Sequence, residues 1–327
     1  MTDLSVTYMG LKLKSPLILG SCGLSNSINK LQEAEQAGFG AVVLKSIFEE
    51  EISREVTSAL NSDPYLEHSQ SYDYISQYQE QASFDRLLNM VRKAKESLTI
   101  PVIASVNCFS SGGWLKYAKA IEEAGANALE VNYFVLPADF NKTAADYQAG
   151  YFKLIETLQQ QISIPIALKT SSYFTDLAHF MQQLSYTGIA ALVLFNRFHA
   201  PDINLDTLEF SASNNFSRQE ELANTLRWVG LLSEKLRCDL SATTGVHDAN
   251  DMIKLLLAGA DTVQAASIFY QKGLNYGAEI LNELKAWMDK HEFSAISDFK
   301  AKLNYTRIEQ PDAYFRIQFM KYMAGIE

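Results

Sequence analysis

The sequence predicts an α/β fold, a (β/α)8 TIM barrel of parallel strands, on three observations. Short apolar runs alternate with amphipathic helical stretches along almost the whole chain. There are eight such pairs, which suits a closed ring better than an open doubly wound sheet. No G-x-G-x-x-G turn follows any of the runs, which weakens a dinucleotide-binding sheet.

In chain order, LILGS at 17–21 is the first strand, stopped by small residues, and a helix at 29–38 ends at Gly38. AVVLK at 41–45 is the second strand. Residues 46–83 then form a long polar and aromatic connection without glycine, a lid-like insertion or a segment with structure of its own. Its Tyr65, Tyr72, Tyr74 and Tyr78 are expected to cover a planar ligand or to pack the segment onto the barrel. A helix at 84–97 leads to PVIASVN (101–107), the third strand. A helix at 113–124 ends at Gly125, before ALEVNY (128–133), the fourth. A helix at 146–161 precedes PIALKTS (165–171), and a helix at 175–186 ends at Gly188, before ALVLFN (191–196).

A partly structured loop, 197–218, and a helix at 219–236 lead to the seventh strand, which ends in SATTG at 241–245. Asp248 reads as the N-cap of the next helix, with Asp251 in its first turn and Gly259 closing it. TVQAAS (262–267) is the eighth strand, followed by a short polar turn, and a helix at 274–291 closes the ring. The reading is one domain over 1–327, with a C-terminal extension at about 292–327. That extension is expected to be a helical tail. Its Tyr305, Tyr314, Phe315, Phe319 and Tyr322 are expected to cover the barrel or the partner in a homodimer.

Composition excludes several function classes. The chain has 327 residues, 47% of them hydrophobic, enough for a large core. The net charge is -10 and the pI about 5.1, with no basic patch for nucleic acid. The opening MTDLSVTYMG lacks the pattern of a secretory signal, and runs such as IAALVLF are too short to span a bilayer. Cys22, Cys108 and Cys238 are widely spaced and odd in number. They fit a reducing cytoplasm and neither a disulfide framework nor a zinc or iron–sulfur site, so no metal is expected.

In a barrel, chemistry sits where strands end and loops begin. The first strand delivers Gly20, Ser21, Cys22 and Gly23 there, the second Lys45 and Ser46, and the third Asn107 and Cys108. The fourth delivers Glu130 and Asn132 on one face, the fifth Lys169 and the sixth Asn196. Lysines ending apolar strands are costly unless something anionic or strongly polar meets them. Lys169 answers either Glu130 or a ligand, and Lys45 either a ligand or the solvent it can reach by snorkelling. A flavin would suit both, since an ammonium near its pyrimidine edge stabilises the reduced state. At the other end of the mouth, Thr244 and Gly245 let backbone approach an anion, and Ser267 adds a hydroxyl. Asp248 and Asp251 argue against phosphate at their own helix's N-terminus.

VVLKS, EVNY, ALKTSSYF, FN, TTG and QAAS, in this order and spacing, resemble the dihydroorotate dehydrogenases, particularly the cytosolic class, from SPLILGSCG to SAISDFKAKL. The resemblance implies FMN on the open face of the barrel and a small-molecule substrate, dihydroorotate, oxidised to orotate in pyrimidine biosynthesis. By that match Lys45 and Lys169 contact the flavin. Ser21, Ser46, Asn107 and Asn132 line the flavin and substrate pocket, and Asn196 meets the substrate and the flavin edge. Thr244, Gly245, Ala266 and Ser267 hold the phosphate.

The sequence departs from the family at the position of the base, three residues beyond Asn132. Val135 stands there, and FVLPADFNKTAAD contains neither Cys nor Ser. Valine accepts no proton. Asp139, Thr143 and, at the end of the third strand, Cys108 are the nearby substitutes. The family's substrate motif in the second loop is also missing, and Thr244 replaces a usual glycine. Two other readings therefore stand beside the first. One is an FMN oxidoreductase for a different small anionic substrate, met by Arg197 and His199. The other is a barrel that binds flavin or a phosphorylated ligand without turnover.

Overall fold

The computed structural model describes residues 2–48, 69–108, 115–197, 201–212 and 215–315. Tyr65, His199, Phe319 and Tyr322 lie outside the described residues, as do the side chains of Tyr72, Tyr74, Tyr78 and Cys108.

The chain opens with a hairpin that has no counterpart among the expected elements, β1 (Val6–Tyr8) and β2 (Leu11–Leu13). Tyr8 pairs with Leu11 across Met9 and Gly10, whose φ values of 53° and 73° give a two-residue left-handed turn. Strands β3 (Leu17–Leu19) and β4 (Ala41–Val43) follow, then the two-residue β5 (Ile47–Phe48), β6 (Val102–Cys108), β7 (Ala128–Tyr133), β8 (Ile166–Thr170) and β9 (Ala191–Leu194). A hairpin of β10 (Pro201–Asn204) and β11 (Glu209–Ala212) fills part of the loop after β9, and β12 (Asp239–Thr243) and β13 (Thr262–Ala265) complete the set.

Eight of these strands pair in parallel as a closed ring, in the order β3, β4, β6, β7, β8, β9, β12, β13 and back to β3. The expected (β/α)8 barrel is therefore present. The helices are α1 (Ile28–Gln36), α2 (Ser69–Ser97), α3 (Leu115–Glu123), α4 (Ala144–Gln159), α5 (Leu177–Ser185), α6 (Leu222–Leu232), α7 (Ala249–Ala258), α8 (Ser267–Lys272), α9 (Tyr276–Lys290) and α10 (Asp312–Phe315). On α5, the i, i+3, i+4, i+7 set Leu177, Phe180, Met181 and Leu184 faces the strands. Burying each such side chain is worth about 1.5–3 kcal/mol. Among the described residues no helix is long and apolar enough to cross a membrane.

Three expectations need correction. The helix expected at 84–97 begins at Ser69, inside the proposed insertion, and Ile47–Phe48 extend the sheet by pairing with Val106 and Asn107. The polar turn expected after Ser267 is the short helix α8. The tail is mainly turns up to α10. Its described part lies on its own barrel: the backbone N–H groups of Ala301, Leu303 and Tyr305 donate to carbonyls of Leu256, Leu257 and Gly230.

Two separate cores result. One packs the helices on the outside of the strands. The other fills the lower barrel with Tyr8, Met9 and Leu13 from the hairpin against Ile18, Ala41, Val43, Ile103, Ala128, Ala167, Ala191 and Val193. Alanine on three successive strands leaves the room that the fully buried Tyr8 ring occupies. The hairpin thus closes the N-terminal end, and the opposite end stays open for chemistry.

Side-chain clamps tie the ring together at that closed end. Glu35 on α1 accepts from the Thr99 and Ile100 backbone ahead of β6, at 2.7 and 3.0 Å. Glu122 on α3 repeats this two strands later, accepting from the Ser163 and Ile164 backbone ahead of β8 at 2.8 and 3.2 Å. Lys119 donates to its other oxygen at 2.6 Å. Together these donors, Lys119 first, pull the Glu122 pKa from 4.5 down to about 2. Its contribution to stability is therefore complete above pH 4.5 and is lost as pH falls towards 2. We expect Glu122→Gln to lower the melting temperature at pH 7 and to narrow the gap to wild type as pH falls below 4; a gap constant from pH 7 to pH 3 would refute the clamp.

Candidate active site

Strand register gathers the polar residues of the open end. Asn107, Asn132 and Lys169 are neighbours in one row across β6, β7 and β8. One step deeper, on the same inward face, stand Ser105 and Glu130. Asn107, Asn132 and Glu130 are buried, and Gln264 of β13 is wholly so. Gln264 Nε2 donates to Glu130 Oε2 at 2.7 Å across the interior, and Lys169 Nζ stands 4.0 Å from Glu130 Oε1. A carboxylate accepts and does not donate, so the Gln264 amide must turn its nitrogen to Glu130 and its oxygen away.

The oxygens Asn107 Oδ1, Asn132 Oδ1 and Gln264 Oε1 have no hydrogen-bond partner among the described residues. A buried acceptor left unpaired costs about 1–3 kcal/mol. Three in one region mark a site whose ligand or water brings N–H or O–H donors.

A cleft opens beside this row. Of the residues expected to meet a cofactor, Ser21, Lys169, Asn196, Thr244, Gly245, Ala266 and Ser267 line it. Ser46, Asn107 and Asn132 are not among its lining residues. Ser46 is joined to the cleft by hydroxyl contacts to Ser21 at 2.9 Å and to Ser105 at 2.6 Å. Lys45 follows β4 at the same end, half-buried. Sequence reasoning missed Ser217, Thr243, Val246, Gln264 and Ala265 of this cleft. Gln264 was visible as the one amide inside the apolar strand TVQA. Ser217 had no signal, because it comes from the irregular loop after β9. Its backbone N–H donates to Ser267 Oγ at 3.0 Å.

Thr244 and Gly245, the residues expected to let backbone approach an anion, line the far end of the cleft. Thr244 and Gly245 take φ of 77° and 81°, and Thr244 Oγ1 donates to the Phe195 carbonyl at 3.0 Å. Asp248 caps α7 by accepting from Asp251 N at 2.9 Å. Asp251 accepts from His247 N at 3.1 Å and Gln219 Nε2 at 2.8 Å. Both carboxylates therefore serve the helix start.

Two of the three substitutes for a base, Asp139 and Thr143, are engaged elsewhere, and the side chain of the third, Cys108, lies outside the described residues. Asp139 is exposed, accepts from Asn141 N at 3.0 Å and faces Lys142 at 3.6 Å. Thr143 caps α4 in a reciprocal pair with Asp146. Neither turns inward. Val135 is half-buried. Burial pushes the Cys22 thiol up, away from thiolate. Arg197 lines the cleft, but its Nε donates to Glu221 Oε2 at 3.0 Å. The guanidinium is thus engaged by a carboxylate of the protein itself.

A Cβ at Gly245 would lie 2.3 Å from Leu222 N at the start of α6. Together with its positive φ, this predicts that Gly245→Ala costs at least about 1–3 kcal/mol in stability. Chemical denaturation checks it, and an unchanged midpoint would contradict the close approach.

No protein-family model matches the chain. Individual proteins do. It is 22% identical to the chloroplastic dihydropyrimidine dehydrogenase (NADP(+)) of Arabidopsis thaliana, over 91% of this chain and 76% of that protein. It is 23% identical to the catalytic subunit of dihydroorotate dehydrogenase B (NAD(+)) of Thermoplasma acidophilum, over 91% of this chain and 98% of that one. It is 21% identical to the NAD-dependent dihydropyrimidine dehydrogenase subunit PreA of Escherichia coli, over 95% and 79%. Along nine-tenths of its length the chain is thus similar, at 21–23% identity, to dehydrogenases of dihydroorotate and of dihydropyrimidines.

Proposed function

We propose that the chain is an FMN-dependent oxidoreductase acting on the CH–CH group of a dihydropyrimidine ring, with dihydroorotate as first candidate substrate. The observation that carries this reading is the row Asn107, Asn132 and Lys169, with unpartnered amide oxygens, beside a cleft that ends in the Thr244–Gly245 turn. Those residues fit a flavin. Buried acceptors suit ring N–H groups, ammonium groups suit its carbonyl edge, and the open backbone with Ser267 suits a phosphate.

A bound flavin supplies the hydride acceptor that no amino-acid side chain provides. The protein's own residues do the rest. Lys45 and Lys169 set positive charge beside the ring. Asn132 and Asn196 orient the substrate's amide edges, and Asn107 with the Ser21–Ser46–Ser105 hydroxyls shapes the deeper pocket. Thr244, Gly245, Ala266 and Ser267 hold the phosphate. On this reading the enzyme works in the cytoplasm in pyrimidine biosynthesis, and a separate acceptor or partner subunit reoxidises it.

A second reading is favoured by Val135, by the pairing of Arg197 with Glu221, and by the likeness to dihydropyrimidine dehydrogenases. It keeps the cofactor and replaces dihydroorotate by a related dihydropyrimidine or another small ring. A positioned general base is worth about two to four orders of magnitude in rate, and Val135 offers none.

Two outcomes test these readings. Ser267→Glu puts a carboxylate where the phosphate would sit, so the purified variant should lose its bound flavin, read from the visible absorption spectrum. Wild-type flavin content in that variant would remove the phosphate from this end of the cleft. Val135→Cys should speed anaerobic flavin reduction by dihydroorotate if that is the substrate. If neither protein is bleached by dihydroorotate while a dihydropyrimidine bleaches wild type, the second reading stands.

A further inference from the structure

Glu130 is a carboxylate inside the barrel, only 1% exposed, and no step described so far uses it. Three elements bring polar groups to it. Gln264 of β13 reaches across the interior and donates to Oε2 at 2.7 Å. Lys169 of β8 places its ammonium 4.0 Å from Oε1. Tyr8 of the floor hairpin lies close enough that Glu130 adds to the upward push that burial gives its phenol.

The geometry at Lys169 is unfinished. A separation of 4.0 Å is too long for a hydrogen bond, and Glu130 Oε1 has no hydrogen-bond partner. Gln264 Oε1 is equally unpaired. Meanwhile Lys169 is 12% exposed and lines the cleft above. Its ammonium therefore stands between an anion below and the contents of the cleft. The Gln264 bond holds the other oxygen of Glu130 and so limits how far the carboxylate can rise towards the lysine.

We propose that Glu130, held back by Gln264, is a positioning residue that sets the direction and effective charge of Lys169, and through it the reduction potential of the flavin in the cleft. This rests on the flavin reading above. An ammonium partly neutralised from below stabilises a reduced, anionic flavin less than a free one does. The Gln264–Glu130 bond keeps that neutralisation incomplete.

The test is the midpoint potential of the bound flavin in three proteins. Glu130→Gln keeps the shape and removes the charge, so Lys169 turns fully to the flavin and the potential moves to more positive values. Gln264→Leu frees the carboxylate to close on Lys169, so the potential moves to more negative values. These opposite signs separate the proposal from general loosening of the barrel, which would shift both variants in the same direction. In a Lys169→Met background, Glu130→Gln should leave the potential where it was. If Lys169→Met does not fold, the two single variants still decide the matter by sign. A loaded protein whose potential is the same in wild type, Glu130→Gln and Gln264→Leu, or shifts in the same direction in both variants, overturns this inference alone. A wild-type protein that takes up no flavin overturns the flavin reading itself, and this inference with it.

Discussion

The register between β6, β7 and β8 is the constraint on which the mouth of this barrel depends. It places Asn107, Asn132 and Lys169 side by side, all facing inward. A slip of one residue would turn every one of them to the helix side and bring Val131 and Leu168 inward instead. Those two side chains are buried in the outer core, so the helices resist the slip. The hydrophobic packing of the outer layer thus maintains the polar order of the inner one.

The interior is divided by chemistry along its axis. Its lower part is mostly apolar, closed by the β1–β2 hairpin and packed around Tyr8, with the Ser241–Thr262 hydroxyl pair as a polar exception. Its upper part is polar, with Glu130, Gln264, Ser105 and the asparagines. A barrel built only for stability would continue the apolar filling to the top, since buried polar groups without partners are costly. Five buried side-chain atoms among the described residues lack a hydrogen-bond partner, and four of them belong to this upper layer. The instability is concentrated where a ligand can relieve it, which is the usual signature of a site.

Much of this was legible in the residues. The eight strands follow from apolar runs of the right length. The strand-end lysines and asparagines follow from where those runs stop. The hairpin was missed because its strands are three residues long, too short for a period to register, although Met9–Gly10 is a turn signal. The start of α2 was missed because SQSYDYISQYQE has little apolar periodicity. Ser217 was illegible for a different reason: it reaches the cleft through the tertiary fold of a loop, and nothing local marks it. The described part of the tail is tied to its own barrel by contacts such as that of Tyr305 with Gly230, which no local pattern marks.

The departures at Val135 and in the second loop concern the substrate. On the proposed reading, the row beside the cleft and the Thr244–Gly245 turn concern the cofactor. Calorimetric titration of flavin-free protein with FMN and with riboflavin, which has the same ring and no phosphate, tests both ends of the cleft at once. FMN should bind tightly and riboflavin far more weakly. Equal affinity for the two, or no binding of either, would contradict this reading.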